Sequence, residues 1–211
     1  MNSTTREDLH GVFISAFAWS AARTTYVVGD NGTILTQSFA ELDAHLKGLV
    51  AWNYGEPPFE KPIPSWKPQV VFTKKNLLSV GGADGDVFVG GADGALLHSI
   101  ARVHGPWALE QSGVKDDLIS IAYAYQTVVL GKDTHKAPVL YIGEASGNAL
   151  WLDLAKPNSG FHKVDSVNGA HLSVVIGENH WEYRTDPIEE SIYLFDTNGS
   201  ILRGVPHKPE S

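Results

Sequence analysis

The sequence contains no cysteine and a single methionine. Without cysteine the protein has no disulfide bonds, no thiolate metal ligands and no cysteine nucleophile. No apolar run approaches the roughly eighteen residues of a membrane-spanning helix, and the N-terminal sequence lacks the basic and apolar regions of a signal peptide. These absences predict a cytoplasmic protein that is not embedded in a membrane.

Charged residues are also scarce, and their balance is acidic. They make up 19% of the chain, and the net charge is −8 at pH 7. An acidic surface repels phosphate backbones, which argues against nucleic acid as a partner, and it attracts basic proteins. A mild acidic excess also keeps ordinary proteins in solution, so the charge alone selects no partner.

The sequence motifs of the common enzyme classes are absent. The chain has no G-x-S-x-G, H-E-x-x-H or G-x-x-x-x-G-K-[ST] sequence. The glycine-rich stretch Gly81–Gly94 lacks the lysine and the following helix of a phosphate-binding loop, so we assign it to hairpins. Nine histidines are scattered without close spacing on one element, so no metal and no cofactor is predicted. The adjacent carboxylates Asp116-Asp117 and Glu189-Glu190 point apart in a loop, and no catalytic residue is predicted.

A short unit recurs four times along the chain. In each copy an aromatic residue opens an apolar strand, a tight glycine turn follows, and a second apolar pair comes after it. A period of roughly 50 to 60 residues that is built from hairpins is typical of repeat proteins with a β-sheet in each repeat. The copies are Tyr26–Leu35 (YVVGDNGTIL), Phe88–Leu97 (FVGGADGALL), Tyr141–Leu150 (YIGEASGNAL) and Tyr193–Leu202 (YLFDTNGSIL).

The glycine turns are predicted to be of type I′, because Asn-Gly and Asp-Gly tolerate a positive φ at both central positions. Acidic residues occur at these turns, but the chain has no D-x-[DN]-x-[DN]-G calcium loop. We therefore assign them to the turns and not to a metal site. The dipeptides are Asn31-Gly32, Asp93-Gly94 and Asn198-Gly199, with Ser146-Gly147 as a weaker form of the same signal.

We predict a single domain over residues 1–211, with repeat units at 9–54, 75–112, 116–166 and 170–204. Each unit begins with an inner strand of small and branched residues, and the first three end with an outer strand. The inner strands are predicted at Gly11–Trp19, Asn76–Ala83, Asp117–Tyr125 and His171–Gly177, and the outer strands at Ala51–Tyr54, Trp107–Glu110 and Phe161–Val164.

Four segments interrupt the repeat. Apolar residues at helical intervals predict a short helix over Phe39–Leu49. Residues 55–70 are rich in proline, which cannot enter a central strand, so they are predicted to form an extended surface loop. Gly131–Pro138 and Glu178–Glu190 are predicted to be long loops, and long loops on a rigid scaffold are where binding sites usually occur.

This pattern of inner strand, aromatic hairpin, Asn/Asp-Gly turn and tryptophan-bearing outer strand resembles the repeats of the photosystem-assembly-factor and BNR-like superfamily (WD/YVTN/BNR type), over roughly residues 9–204. The resemblance implies an all-β fold, a small β-propeller of about four blades with one short helical insertion. Five blades, or an array that closes by oligomerising, are the alternatives. The related sialidases carry an S-x-D-x-G-x-T-W box, whereas Glu144–Trp151 (EASGNALW) lacks the aspartate. The resemblance therefore does not extend to sialidase activity.

One cluster of the sequence combines the residue types that dominate binding hot spots, namely Trp, Tyr and Arg. We predict a non-catalytic scaffold that binds a protein partner through its loops, for example an immunity or inhibitor protein that caps a basic toxin or enzyme. A lectin-like protein that binds carbohydrate is the first alternative, and a glycosidase-type hydrolase is the second. The same aromatic residues would serve equally well to cover the edge of a sheet. The hypothesised partner-binding residues are His180, Trp181, Glu182, Tyr183 and Arg184, with Phe59 and Trp66 in the proline-rich loop.

Overall fold

The computed structural model describes residues 13–19, 24–38, 66–83, 86–100, 106–130, 133–164, 172–177, 192–196 and 201–204. Within these ranges the chain consists of β-strands joined by turns, so the predicted all-β class is confirmed. A helical turn of three residues occurs at Pro157–Ser159, and the tight turns Asp30–Gly32 and Ala92–Gly94 contain residues with non-helical backbone. No helix in the described ranges is long and apolar enough to cross a membrane.

The strands form four separate antiparallel sheets, which we number one to four in chain order. Sheet one contains β1 (Phe13–Trp19), β2 (Thr24–Gly29), β3 (Thr33–Ser38) and β4 (Lys67–Pro68). Sheet two contains β5 (Leu77–Ala83), β6 (Asp86–Gly91), β7 (Ala95–Ile100) and β8 (Ala108–Gln111). Sheet three contains β9 (Leu118–Leu130), β10 (Asp133–Glu144), β11 (Ala149–Asp153) and β12 (His162–Val164). Sheet four contains β13 (Leu172–Gly177), β14 (Ile192–Asp196) and β15 (Ile201–Gly204), and in every sheet the strands lie side by side in chain order.

All four sheets share one irregularity in their register. Near the start of each inner strand the pairing with the next strand skips a residue, which is the mark of a β-bulge. Its occurrence at one place in every copy shows that the sequence repeat extends to the backbone geometry. The skips lie between Phe13 and Ser15, Leu77 and Ser79, Leu118 and Ser120, and Leu172 and Val174.

The predicted conformation of the first two glycine turns is confirmed. Asn31 and Gly32 have φ values of 53° and 71°, and Asp93 and Gly94 have values of 50° and 69°. The third turn differs, because a positive φ of 94° occurs at Gly147 alone. The fourth dipeptide, Asn198-Gly199, lies outside the described residues.

The same two turns join their sheet to the next one. The Gly32 N–H donates to the Lys75 carbonyl oxygen at 2.9 Å, and the Gly94 N–H donates to the Asp116 carbonyl oxygen at 2.8 Å. In both cases the acceptor lies in the segment that leads into the inner strand of the following sheet. The turn of sheet one is therefore docked on the entry to sheet two, and the turn of sheet two on the entry to sheet three.

The residue before each glycine adds a second bond of the same kind. The Asn31 N–H donates to the Asn76 side-chain oxygen at 3.2 Å, and the Asp93 N–H donates to the Asp117 carboxylate at 3.0 Å. These equivalent bonds show that one docking geometry is used at both junctions.

Glycine is required at these turns because of the backbone conformation, and also because main-chain atoms of another segment lie very close to them. A Cβ atom on Gly32 would overlap the carbonyl oxygen of Thr73, and one on Gly94 would overlap the carbonyl oxygen of Val114. Both obstacles are main-chain atoms, so they cannot rotate away. The turn glycines thus serve the contact between sheets as well as the turn itself.

Two apolar clusters fill the spaces between consecutive sheets. Buried side chains of this kind supply most of the free energy of folding. Between sheets one and two lie Tyr26, Val28, Ile34, Leu77, Val80, Val87, Val89, Leu97 and Trp107. Between sheets two and three lie Phe88, Leu96, Leu118, Leu140, Ile142, Leu150 and Leu152.

The prediction of a β-propeller is wrong, because the sheets are separate and none of them closes into a barrel or propeller. The residue two positions after each turn glycine is buried in some sheets and exposed in another. At this position Ile34 and Leu96 are buried, each against the following sheet. Ile201 occupies the same position in sheet four and is 62% exposed. No sheet among the described residues covers that side chain.

Two predicted loops also contain strands. Gly131–Pro138 was expected to be a loop, but residues 133–138 belong to β10 and pair with residues 125–130 of β9. This insertion therefore lengthens a hairpin. In the proline-rich stretch 55–70, Lys67 and Pro68 pair with β3 as the edge strand β4, a position that proline tolerates. The predicted helix Phe39–Leu49, the strand Ala51–Tyr54 and the loop Glu178–Glu190 lie outside the described residues.

Replacing a docking glycine should cost more free energy than replacing a turn glycine with open space around it. Gly94→Ala combines a left-handed backbone with a main-chain clash, whereas Gly113 has a φ of 78° and nothing near its Cβ position. We expect Gly94→Ala to lower the free energy of unfolding by about 3 kcal/mol and Gly113→Ala by about 1 kcal/mol. Urea denaturation measures both values. Equal losses in the two variants would show that docking contributes nothing beyond the turn conformation.

The stability of the fold should fall at alkaline pH through its buried tyrosines. Burial raises the pKa of Tyr141 to about 12 and also raises the pKa of Tyr26. Because tyrosine in the unfolded chain ionises near a pH of about 10, their contribution is complete below that pH and is lost as the pH rises towards about 12. Over this pH range we expect the free energy of unfolding to fall by about 2 kcal/mol less in Tyr141→Phe than in the unsubstituted chain. Urea denaturation across that range, with tyrosinate absorbance as a second readout, tests this, and an equally steep loss in the variant would contradict it.

Candidate functional site

A cleft of about 230 Å³ opens beside β8, the outermost strand of sheet two. Its walls come from three parts of the chain, namely the segment between β4 and β5, the turn between β6 and β7, and the neighbouring strands β7 and β8. The lining residues are Phe72, Thr73, Lys75, Asp93, Gly94, Ala95, Leu97, Trp107, Leu109 and Glu110.

The floor of the cleft is apolar and belongs to the core. Leu97 and Trp107 are buried in the cluster between sheets one and two. The Trp107 ring meets the Tyr26 ring edge to face, with 6.3 Å between the centroids, which is a favoured geometry for aromatic pairs. A side chain that enters the cleft would therefore meet a rigid apolar surface.

The rim of the cleft exposes large apolar side chains. Phe72 is 87% exposed and Leu109 is 71% exposed, and Val70, two residues before Phe72, is also exposed. Leu109 pairs with Leu97 across β7 and β8, so both side chains lie on the same face of the sheet. Leu97 is buried in the cluster between sheets one and two, whereas Leu109 is exposed to solvent. Exposed apolar groups beside a concave surface are a feature of binding sites.

The segment that carries Phe72 is held in place by main-chain bonds. The Gln69 N–H donates to the Ile34 carbonyl oxygen at 2.9 Å. The Lys75 N–H donates to the Thr73 hydroxyl at 3.1 Å, and the Lys75 carbonyl oxygen accepts from Gly32. The docking of the Asn31-Gly32 turn on Lys75 thus holds one wall of the cleft in place.

A basic and an acidic residue bridge the other end of the cleft. The Lys75 ammonium donates to the carbonyl oxygen of Asp93 at 3.1 Å and lies 3.6 Å from its carboxylate. Both side chains are exposed to solvent, so this ion pair contributes little to stability. Lys75 is the one positively charged residue among the described residues that line the cleft, and this ion pair engages it.

Glu110 belongs to a row of polar side chains across sheet two. Its carboxylate lies 3.5 Å from Nδ1 of His98, and Nε2 of His98 lies 2.8 Å from the carboxylate of Asp86. The His98 ring stacks on Phe88 with 4.3 Å between centroids. Two carboxylates thus flank one imidazole, on the face of the sheet opposite to Leu109.

Other polar groups of the described residues do not form a site. No group of three His, Cys, Asp or Glu side chains in the described ranges is placed to hold a metal ion. In sheet three the Ser120 hydroxyl and one carboxylate oxygen of Glu144 are buried without a hydrogen-bond partner. Neither lines the cleft.

Of the hypothesised partner-binding residues, the structure describes Trp66. This residue lies directly before β4, is half-buried and does not line the cleft. Trp107 and Phe161 take the same place before β8 and β12, so an aromatic residue precedes the outer strand of each of the first three sheets. Phe59 and residues 180–184 lie outside the described residues.

Sequence reasoning missed the cleft because its walls come from distant parts of the chain. Trp107 and Leu109 were assigned to an outer strand, and Phe72 received no role. A signal was present, since Val70-Val71-Phe72 is an apolar run in a segment that joins two sheets. The register of β8 is what places this run beside Leu109, and the sequence alone does not show it.

No protein-family model matches this chain, and no curated protein sequence matches it. Among solved structures it is similar to the computationally designed Ika4 protein, with a TM-score of 0.51 and 11% sequence identity over 94% of each chain. The computationally designed Ika8 protein aligns with a TM-score of 0.32 and 9% identity, over 92% of this chain and 71% of that one. The likeness to Ika4 concerns the fold alone. These comparisons give no support to the resemblance to BNR-like repeats.

The rim residues of the cleft should be dispensable for folding. Because Phe72 and Leu109 are exposed, we expect Phe72→Ala and Leu109→Ala to change the free energy of unfolding by less than about 1 kcal/mol. The buried neighbour Leu97 provides the comparison, and Leu97→Ala should cost about 2 to 5 kcal/mol. Urea denaturation of the three variants decides the point. A large loss for Phe72→Ala would mean that this side chain is part of the core.

Proposed function

We propose that the protein is a cytoplasmic, non-catalytic scaffold that binds a protein partner. The observation that supports this proposal is the cleft beside β8, where exposed apolar side chains surround a buried apolar floor. An immunity or inhibitor protein that caps a basic enzyme is the instance that best fits the acidic charge. The lack of cysteine agrees with a reducing compartment.

The cleft has the anatomy of a protein-binding site on a small scale. Interfaces combine an apolar centre with a polar rim, and aromatic residues supply much of their binding energy. Here Leu97 and Trp107 form the centre, Phe72 and Leu109 are available for contact, and Glu110 lies at the rim. The predicted loop cluster at residues 180–184 would supply a second contact surface.

The first step of the test is to isolate the partner. The full chain serves as bait in an extract of its source cell, and the recovered protein is purified for calorimetry. We expect a single stoichiometric partner. A glycan array that gave strong binding, together with no protein partner, would replace this proposal by the lectin-like alternative.

Substitution of the cleft should weaken binding without unfolding the chain. We expect Phe72→Ala and Leu109→Ala each to raise the Kd for the purified partner about tenfold, because truncation of such a contact costs about 1 to 2 kcal/mol. Lys156→Ala, at an exposed residue in the turn between β11 and β12, is the matched control and should leave the Kd unchanged. Affinity that responds to Trp181→Ala and Arg184→Ala but not to the cleft variants would assign binding to the loop and not to the cleft.

A further inference from the structure

We propose, on the basis that the cleft binds a protein partner, that the partner contributes an extended segment which adds antiparallel to β8. In this arrangement an apolar side chain of the segment occupies the cleft, and a basic side chain next to it faces Glu110. Addition of a strand to an exposed sheet edge is a common mode of peptide recognition, in which main-chain hydrogen bonds give affinity and side-chain pockets give specificity.

The first reason is that β8 has an open edge. It is the last strand of sheet two and pairs with β7 alone among the described strands. All four of its residues, Ala108–Gln111, are exposed. An edge strand presents peptide N–H and C=O groups that another chain can pair with.

The second reason is that β8 lacks the lysine and proline that protect the outer edges of sheets one and three. Proteins block strand addition with lysine, proline or very short strands at their edges. The edge strand β4 consists of Lys67 and Pro68, and β12 carries Lys163. By contrast β8 has the sequence Ala-Leu-Glu-Gln, with Leu109 71% exposed. Of these three outer strands, β8 is therefore the one suited to accept another strand.

The third reason is the register that the cleft imposes. Cross-strand neighbours lie on the same face of a sheet, and successive residues of a strand alternate between faces. A residue placed opposite Leu109 would lie on the face of the cleft, while the residue opposite Glu110 would lie on the face of His98 and Asp86. On the cleft face Leu109 has the apolar neighbour Leu97, whereas on the other face Glu110 belongs to the polar row with His98 and Asp86.

These two faces define the sequence of the segment. An antiparallel strand meets Glu110 one residue before it meets Leu109. The residue opposite Glu110 should be Lys or Arg, because it lies beside the Glu110 carboxylate, with His98 and then Asp86 further in across the sheet. The residue opposite Leu109 should be a large apolar one. The expected motif is therefore a basic residue followed directly by an apolar residue, in a stretch without proline.

A second copy of the chain does not fit this edge. In the register that pairs all four residues, antiparallel pairing of β8 with itself would set Leu109 opposite Glu110 and leave an apolar side chain against a carboxylate. It would also bring together two chains with a net charge of −8 each, which repel one another. A basic segment of another protein has neither disadvantage.

The test uses a display library of random linear dodecapeptides selected on the full chain. We expect the selected peptides to share the basic–apolar dipeptide, and the best one is then synthesised and its Kd measured by fluorescence polarisation. Methylation of its backbone nitrogens at alternate positions should raise the Kd at least tenfold in one of the two alternating sets and not in the other. This alternation is the signature of a strand, since a helix or a loop would not produce it.

Variants of the chain complete the test. Leu109→Lys places on β8 the residue type that blocks the other edges and should raise the Kd at least tenfold, while Lys163→Ala on β12 should leave it unchanged. Glu110→Gln should raise the Kd several-fold and reduce its dependence on salt. Urea denaturation of each variant shows whether a raised Kd results from unfolding of the chain or from a weaker contact.

The possible outcomes separate this inference from the proposed function. Failure to select any linear peptide, or selected peptides without the basic–apolar dipeptide, overturns strand addition. If binding depends on Phe72 but tolerates methylation at every position, the cleft is a binding site and strand addition is wrong. If sedimentation shows a dimer that Leu109→Lys disrupts, the second copy replaces the partner segment. Failure of the proposed function would appear separately, as the absence of any protein partner, and a purified partner whose affinity ignores both Phe72→Ala and Leu109→Ala would move the binding site away from the cleft.

Discussion

The docking of a glycine turn on the entry to the next sheet is the constraint on which the rest of the structure depends. Gly32 and Gly94 each donate a main-chain hydrogen bond across a junction between sheets, and neither position has room for a Cβ atom. Each junction then encloses an apolar cluster. The bonds set the spacing and orientation of the sheets, and burial of the clusters supplies the free energy. Because the contact is made of backbone atoms, it tolerates large variation in the surrounding sequence.

The candidate binding site is a consequence of this construction. The Asn31-Gly32 turn docks on Lys75, and this contact holds the segment that carries Phe72 beside sheet two. The outer strand β8 of that sheet is exposed along its length, and Leu109 is exposed with it. A cleft with a rigid floor and an open strand edge results. The repeated part of the chain thus provides stability, whereas the proposed binding surface lies where two copies of the repeat fit together imperfectly.

The turns of this fold were predictable from sequence, and the way in which the sheets pack on one another was not. Asn31-Gly32 and Asp93-Gly94 specify their turns because few other residues accept a positive φ at both positions. Closure into a propeller was predicted wrongly, because closure depends on contacts between the first and last sheets, and no local pattern encodes them. Ile201 is exposed at a position that is buried in earlier copies, which shows that no described sheet packs on this side chain. The cleft escaped prediction for a similar reason, since Phe72, Asp93 and Leu109 meet only after the sheets have docked.

The central claim is that partner binding occurs at the free edge of β8. Amide hydrogen exchange of the full chain, measured alone and saturated with its purified partner, tests it most directly. Edge-strand amides that point to solvent exchange quickly until they gain a hydrogen-bond acceptor. The account predicts that binding slows exchange at alternate amides of Ala108–Gln111, with Gly32 and Gly94 protected to the same extent in both states. Unchanged exchange throughout β8, with new protection elsewhere in the chain, would contradict it.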